Sequence, residues 1–230
     1  MKTGDPSSPN KYFGMYLMSE SIDKPFNADG AKKMDSIAKG PFAPIYPIIA
    51  DQIMDVCKIT SGSCIDLGCG PAHLAIAVAR VSDLAIDAVD SSPDMLTIAT
   101  ENIKEAGLSG CVRVVNGDVH ALPYEDSSVD IIISRGSLFF WNDLNKAFLE
   151  IYRVLRPNGR TFIGGGFGTD ALKEEIFRKM RSIDPKWEKN AEKRLKMQQS
   201  DKIPKALEAA GVADYEIRRD LAGFWIIMRK

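Results

Sequence analysis

From Ser63 onward the chain alternates short apolar runs with longer stretches of helical spacing. The runs at 64–67, 85–89, 112–115, 129–134 and 161–164 each stop at a polar residue or glycine, as buried strands do. Between them, residues 72–81, 93–106 and 144–155 read as helices. Pro93 falls in a first turn, Gly107 follows a last one, and Pro157-Asn158-Gly159 lies just past the third. This alternation predicts right-handed βαβ units in a parallel sheet covered on both faces.

Upstream, residues 29–39 read as a helix ending at Gly40-Pro41. Residues 45–57 carry Ile45, Ile48, Ile49, Ile53 and Val56 at the spacing of a helix with one buried face. Downstream, 170–211 reads as charged helices; both signs recur through 186–205, the mark of a solvated face. Residues 215–221 and 224–229 read as two strands, with only Ala222-Gly223 between them, which permits an antiparallel hairpin. The predicted architecture is α/β: a doubly wound seven-stranded sheet, mostly parallel, with one antiparallel strand in a C-terminal hairpin and helices on both faces.

Composition narrows the partners. The chain has 230 residues, of which 45% are hydrophobic, enough for one substantial core. Its 30 Lys and Arg nearly balance 31 Asp and Glu, so nothing favours nucleic acid or an anionic membrane. No run approaches the ~20 apolar residues of a membrane span, and no secretory apolar stretch opens the chain; a cytoplasmic protein is expected. Cys57, Cys64, Cys69 and Cys111 form no CxxC pair, and with two histidines the expectation is reduced thiols and no metal.

In such a sheet, ligands bind beyond the carboxyl ends of the strands, where strand order reverses. The candidate chemistry collects there. Asp66 precedes the turn Gly68-Cys69-Gly70, Asp90 and Ser91 end the second strand, Gly117-Asp118-Val119-His120 follows the third, and Ser134-Arg135 follows the fourth. Glycines let a ligand approach the backbone, and the following helix offers free N–H groups. Asp90 is placed to accept from both hydroxyls of a ribose, while Asp118 and the Val119 N–H suit an adenine edge. Asp66 disfavours a diphosphate and suits an ammonium group. The dinucleotide pattern GxGxxG would need glycine where His73 stands.

These residues resemble a known family. Asp66-Leu67-Gly68-Cys69-Gly70, Asp90, Gly117-Asp118 with Leu122-Pro123, Asp126 and Asp130, and Val154-Leu155-Arg156-Pro157-Asn158-Gly159 are similar, in order, to the motifs of class I S-adenosylmethionine-dependent methyltransferases. The subgroup is that of methyltransferase domain type 11, which includes quinone-biosynthesis enzymes. The resemblance covers about residues 45–166 and implies a Rossmann-like fold. Two positions depart from the pattern: Ala72 replaces the third glycine of DxGxGxG, and Val129 replaces a usual aromatic.

The resemblance implies S-adenosyl-L-methionine as cofactor, S-adenosyl-L-homocysteine as product and a small-molecule methyl acceptor. It implies that Asp66, Leu67, Gly68 and Gly70 hold the methionine part, Asp66 near its ammonium group. Asp90 would hold the ribose, Ser91 and Met95 the adenine pocket, and Gly117, Asp118 and Val119 the adenine edge. Ser134 and Arg135 would face the methionine tail and the acceptor. Residues 1–44, with Tyr12, Phe13 and Tyr16, would form an arm or lid on a single domain at 45–230, and 170–211 a helical cover over the acceptor.

Several readings stay open at this stage. His120 is a candidate base or a packing residue; His73 caps a helix or lines the pocket. Arg135 is a catalytic candidate, a partner for an anionic acceptor or cofactor carboxylate, or a surface ion pair. Phe139, Phe140 and Trp141 belong to the core or the rim. Gly164-Gly165-Gly166-Phe167-Gly168 forms an anion-binding nest or a bulge. An NAD(P)-dependent oxidoreductase and a non-catalytic cofactor-binding protein of the same fold remain as alternatives.

Overall fold

A computed structural model describes residues 27–184, 187, 200–220 and 222–230. The expected arm at 1–25 and most of the charged run at 186–205 lie outside the described residues. The chain begins with α1 (Ala28–Lys39) and α2 (Ile45–Cys57). Next come β1 (Ser61–Leu67), α3 (His73–Ala79), β2 (Asp83–Asp90), α4 (Pro93–Glu105), β3 (Val112–Asn116) and β4 (Val129–Arg135). A 3-10 turn at Leu138–Phe140 precedes α5 (Leu144–Val154) and β5 (Leu155–Gly166). The chain ends in α6 (Asp170–Ile183), α7 (Lys202–Ala209), β6 (Asp214–Arg219) and β7 (Gly223–Arg229).

The strands form one sheet in the order β3-β2-β1-β4-β5-β7-β6. Pairings from β3 to β5 are parallel, and β7 runs antiparallel to both β5 and β6. Strand order therefore reverses between β1 and β4, as the α/β alternation requires. Successive residues enter opposite cores. Ile131 and Ile133 join α2, α3 and α4 on one face, while Ile132 between them joins α5 and α7 on the other. Phe162 and Ile163 divide in the same way, as do Trp225 and Ile226. That alternation, with nearly every inward residue apolar, is what covers both faces of the sheet.

Among the boundaries that differ from the sequence reading, three have a visible cause. Helix α3 starts at His73 because Ala72 is left-handed, at φ 66°, and cannot belong to a right-handed helix. Strand β5 starts at Leu155, directly after α5, because Val129 pairs with Leu155 before the register shifts. The Pro157-Asn158-Gly159 turn sits inside it, with Asn158 at φ 68° and its N–H donating to the Lys230 carbonyl at 2.6 Å. The hairpin link is longer than two residues: the Gly223 N–H donates to the Asp220 carboxylate at 2.6 Å and closes a wider turn.

The glycine run is neither nest nor bulge. Gly164, Gly165 and Gly166 pair in unbroken register with Trp225, Phe224 and Gly223. Glycine is needed because β7 presses on it: a Cβ at Gly164 would lie 2.0 Å from the Phe224 carbonyl oxygen, and one at Gly166 would lie 2.7 Å from the Trp225 ring.

Gly164→Ala therefore forces backbone apart and is expected to cost about 1–3 kcal/mol or more in urea unfolding. Gly110→Ala, where an added Cβ meets nothing within 4 Å, is expected to stay within about 0.5 kcal/mol of the parent. Equal midpoints for the two variants would refute the packing account of the glycine run.

Candidate functional site

The turn after β1 is built from left-handed residues: Gly68 at φ 64°, Gly70 at φ 52° and Ala72 at φ 66°. The Gly70 N–H donates to Asp90 Oδ2 at 2.9 Å, and the Cys69 N–H to the Val89 carbonyl at 2.9 Å, so the turn is tied to the end of β2. Asp90 Oδ1 accepts from the Ser92 N–H at 2.9 Å. With the Ser91 N–H also bonded to it, the carboxylate keeps acceptor capacity for a ligand hydroxyl. A Cβ added at Gly70 or at Gly136 would meet nothing within 4 Å. The crevice between the β1 and β4 ends therefore has room for a ligand against the backbone.

Gly68 has a different constraint. A Cβ there would lie 2.3 Å from Ser137 Cβ. The hydroxyls of Ser137 and buried Ser134 both donate to the Leu67 carbonyl, at 2.9 and 2.7 Å, and lie 2.6 Å apart. These bonds lash the end of β4 to the end of β1 at the point where strand order reverses.

Asp66 lies beneath the turn, 1% exposed, and accepts from the Ala75 N–H in the first turn of α3 at 3.1 Å. Burial, reinforced by the nearby Asp90 and only partly offset by that N–H, pushes its carboxyl up to about 7. Burial raises Asp90 as well, against the N–H groups of Ser92, Gly70 and Ser91. A buried acid and a partly buried one at a single turn form a site that favours a positive charge.

Along the β2 and β3 ends, Ser91 is exposed and Met95 is buried, its N–H donating to Ser92 Oγ at 3.4 Å. The Gly117 N–H donates to the Asp90 carbonyl at 3.1 Å, and a Cβ there would press on Val89 at 2.9 Å. Asp118 is exposed, and partly buried Val119 packs on the α5 face. His120 sits with Nδ1 at 2.7 Å from Asp118 Oδ1, while its Nε2 accepts from the Asp143 N–H at 3.3 Å. Nε2 as acceptor leaves the proton on Nδ1, donated to Asp118. Burial acts to raise the Asp118 pKa, but the His120 bonds outweigh it and hold the carboxylate below its ordinary range.

The loop is pinned from behind by Arg153. Its guanidinium donates to the Tyr124 and Leu122 carbonyls, to Asp126 at 2.7 Å, and to both oxygens of Glu150 at 2.8 Å. Asp130 likewise pairs with Arg156 through two 2.9 Å contacts and accepts from the Ser63 hydroxyl and N–H at 2.8 Å. Asp126 and Asp130 are thus framework groups.

Among the described residues, Arg135 forms no ion pair. Its Nε–H donates to the Gly166 carbonyl at 3.0 Å, and its guanidinium carbon lies 4.9 Å from the centre of the Phe42 ring, 5.8 Å from Tyr46 and 6.0 Å from Phe167. His73 is not free to line this pocket. It pairs through Nε2 with Asp35 at 2.8 Å, and Asn102 bonds the same oxygen at 2.8 Å, joining α1, α3 and α4. Of the aromatic trio, Phe140 is exposed, Trp141 packs edge-on to Phe148, and Phe139 borders Gly165. The rings around Arg135 went unnoticed in sequence because they arrive from segments about 90 residues before it and 30 after it, with no shared spacing.

No helix among the described residues is long and apolar enough to cross a membrane. Comparison with known proteins places the chain. A family profile described as a methyltransferase domain matches residues 65–163. The crystal structure of a Methanococcus maripaludis protein assigned to the S-adenosyl-L-methionine-dependent methyltransferases superposes with a TM-score of 0.87 at 46% identity, covering 93% of this chain and 97% of that one. An uncharacterized methyltransferase of Bacillus subtilis, YdaC, is 33% identical over 46% of this chain and 57% of its own length. Malonyl-[acyl-carrier protein] O-methyltransferase of a Methylovorus strain is 33% identical over 53% and 42%. The chain spans about half the length of these two curated relatives. With the near-complete, 46% identical match in hand, the turn, the two acids and the strand order have one family reading: this chain is a member of the S-adenosylmethionine-dependent methyltransferases.

Proposed function

We propose that this protein transfers a methyl group from S-adenosylmethionine to a small-molecule acceptor by direct in-line displacement. The observation that carries the reading is a pair of acids, buried Asp66 beneath the left-handed turn and partly buried Asp90 bonded to it, beside the open β1/β4 crevice. The bound cofactor supplies an electrophilic sulfonium methyl. Everything else falls to the chain. Asp66 would meet the ammonium group, Asp90 the ribose hydroxyls, Met95 and Ser91 the adenine faces, and Asp118 with Val119 the adenine edge. His120, with both ring nitrogens engaged, is read as holding Asp118 in place rather than as a base.

Catalysis then rests on alignment in a drained crevice, a device whose effective molarity reaches about 10⁵ M or more. Residues 45–230 form the methyl-transfer domain in this reading, with 1–44 and 170–211 covering its acceptor side. An acid under the glycine turn and His73 at the third position of GxGxxG speak against a nicotinamide dinucleotide.

Titration calorimetry tests the cofactor. S-adenosylhomocysteine is expected to bind with a micromolar Kd. Asp90→Ala is expected to weaken it at least about tenfold through loss of charged hydrogen bonds. NADH should give no heat. Binding of NADH but not S-adenosylhomocysteine would overturn the assignment.

The raised carboxyl gives a second test. Below about pH 7, Asp66 is protonated in the empty protein, and an ammonium group beside it favours the ionised form. Binding must then release a proton, so S-adenosylhomocysteine affinity should rise about tenfold per pH unit toward pH 7 and then level off. Stability of the empty fold runs the other way. A carboxyl raised in the folded state stabilises below its unfolded value of 3.8, and the benefit is lost as pH climbs to about 7. Asp66→Asn should flatten both profiles. An unchanged affinity slope in that variant would exclude Asp66 as the group responsible.

A further inference from the structure

Arg135 stands out among the buried charges. It is partly buried, it has no carboxylate partner among the described residues, and its one hydrogen bond there runs from Nε to the Gly166 carbonyl. Both Nη groups are left without an acceptor among those residues. Neither Nη is a fully buried unpaired atom, so the fork stays open to solvent or to a ligand, where a partly buried guanidinium more often pairs with a carboxylate. Here the rings of Phe42, Tyr46 and Phe167 flank it instead. Stacked rings offset part of the cost through cation–π attraction but leave the donor fork unused.

Position separates this fork from the cofactor turn. Arg135 ends β4, and its Nε contact leans toward the end of β5, whereas the glycine turn follows β1 on the other side of β4. Next to it, Phe42 and Phe167 continue into a closed group of rings with Phe177 and Trp187, with centroids 5.5–6.2 Å apart. A fork of two parallel N–H donors matches a carboxylate, and one positive charge with no second cation beside it among the described residues matches a monoanion better than a phosphate.

We propose that Arg135 seats the carboxylate of the methyl acceptor, and that the acceptor is an organic monocarboxylic acid whose apolar body lies against the partly exposed rings of Tyr46 and Phe167. The assignment rests on the methyltransferase reading above. It makes Arg135 a specificity residue: it selects an anion and turns the acceptor toward the crevice, and it takes no proton.

The test uses 4-fluorobenzoate and its uncharged counterpart 4-fluorobenzamide, titrated by fluorine NMR with and without saturating S-adenosylhomocysteine. The benzoate is expected to bind at least about tenfold more tightly than the amide. Arg135→Gln should erase that preference and leave the S-adenosylhomocysteine Kd within about threefold, with Arg135→Lys keeping part of the preference because charge survives while the fork is lost. Equal affinities in the unmodified protein, or binding of neither probe, would overturn the proposal without any variant being made. A drop of more than about tenfold in S-adenosylhomocysteine affinity on Arg135→Gln would overturn it too, placing the guanidinium on the cofactor's own carboxylate. Failure of the unmodified protein to bind S-adenosylhomocysteine would instead strike the methyltransferase reading, and the cofactor-free titration still reports on Arg135.

Discussion

One hydrogen bond organises the ligand end of the sheet: the Gly70 N–H donated to the Asp90 carboxylate. It joins the turn after β1 to the tip of β2 and holds three alternate left-handed positions, Gly68, Gly70 and Ala72, in a conformation that resists helix or strand. Because Asp90 also caps the Ser92 N–H, the same carboxylate sets where α4 begins. Burial of Asp66 under that turn follows, and with it the raised carboxyl. The local charge balance of the site is thus a product of how the turn is held.

The family motifs divide into groups proposed to meet ligand and groups that hold the frame. Asp66, Asp90 and Asp118 belong to the first in the proposed reading, whereas Asp126 and Asp130 are absorbed by Arg153, Arg156 and Ser63. Exposed ion pairs of this kind contribute little individually, about 0–1 kcal/mol. Arg153 differs because it also satisfies two backbone carbonyls of the loop after β3. It fixes the position of Asp118 from the opposite side of the loop. A motif acid can therefore be essential to a site that it never touches.

The fold was legible where local signals and burial agree. Strand alternation, Pro93 at the start of α4 and the reversed C-terminal strand are all properties of short segments, and the structure reproduces them. Legibility failed where long-range packing decides. The glycines at 164–166 looked like loop chemistry but answer to the Phe224 backbone and the Trp225 ring, some 60 residues away. Leu155 looked like the end of a helix but is already paired with Val129. In the site, the acids at strand ends could be read from position alone. The rings around Arg135 could not, since Phe42 and Phe167 acquire meaning only when α2 and β5 converge.

The division between the β1 turn and the Arg135 surroundings also runs along the sequence. Every residue assigned to the cofactor lies within residues 65–163, the portion matched by the family profile. Phe42, Tyr46, Phe167, Phe177 and Trp187 all lie outside it. Arg135 reaches out of the shared segment to touch the flanks. In the proposed reading, the cofactor groups sit inside the segment matched by the family profile, and the rings beside Arg135 come from its two flanks. Substitution in the flanks would then reshape the surroundings of Arg135 and leave the cofactor groups as they are.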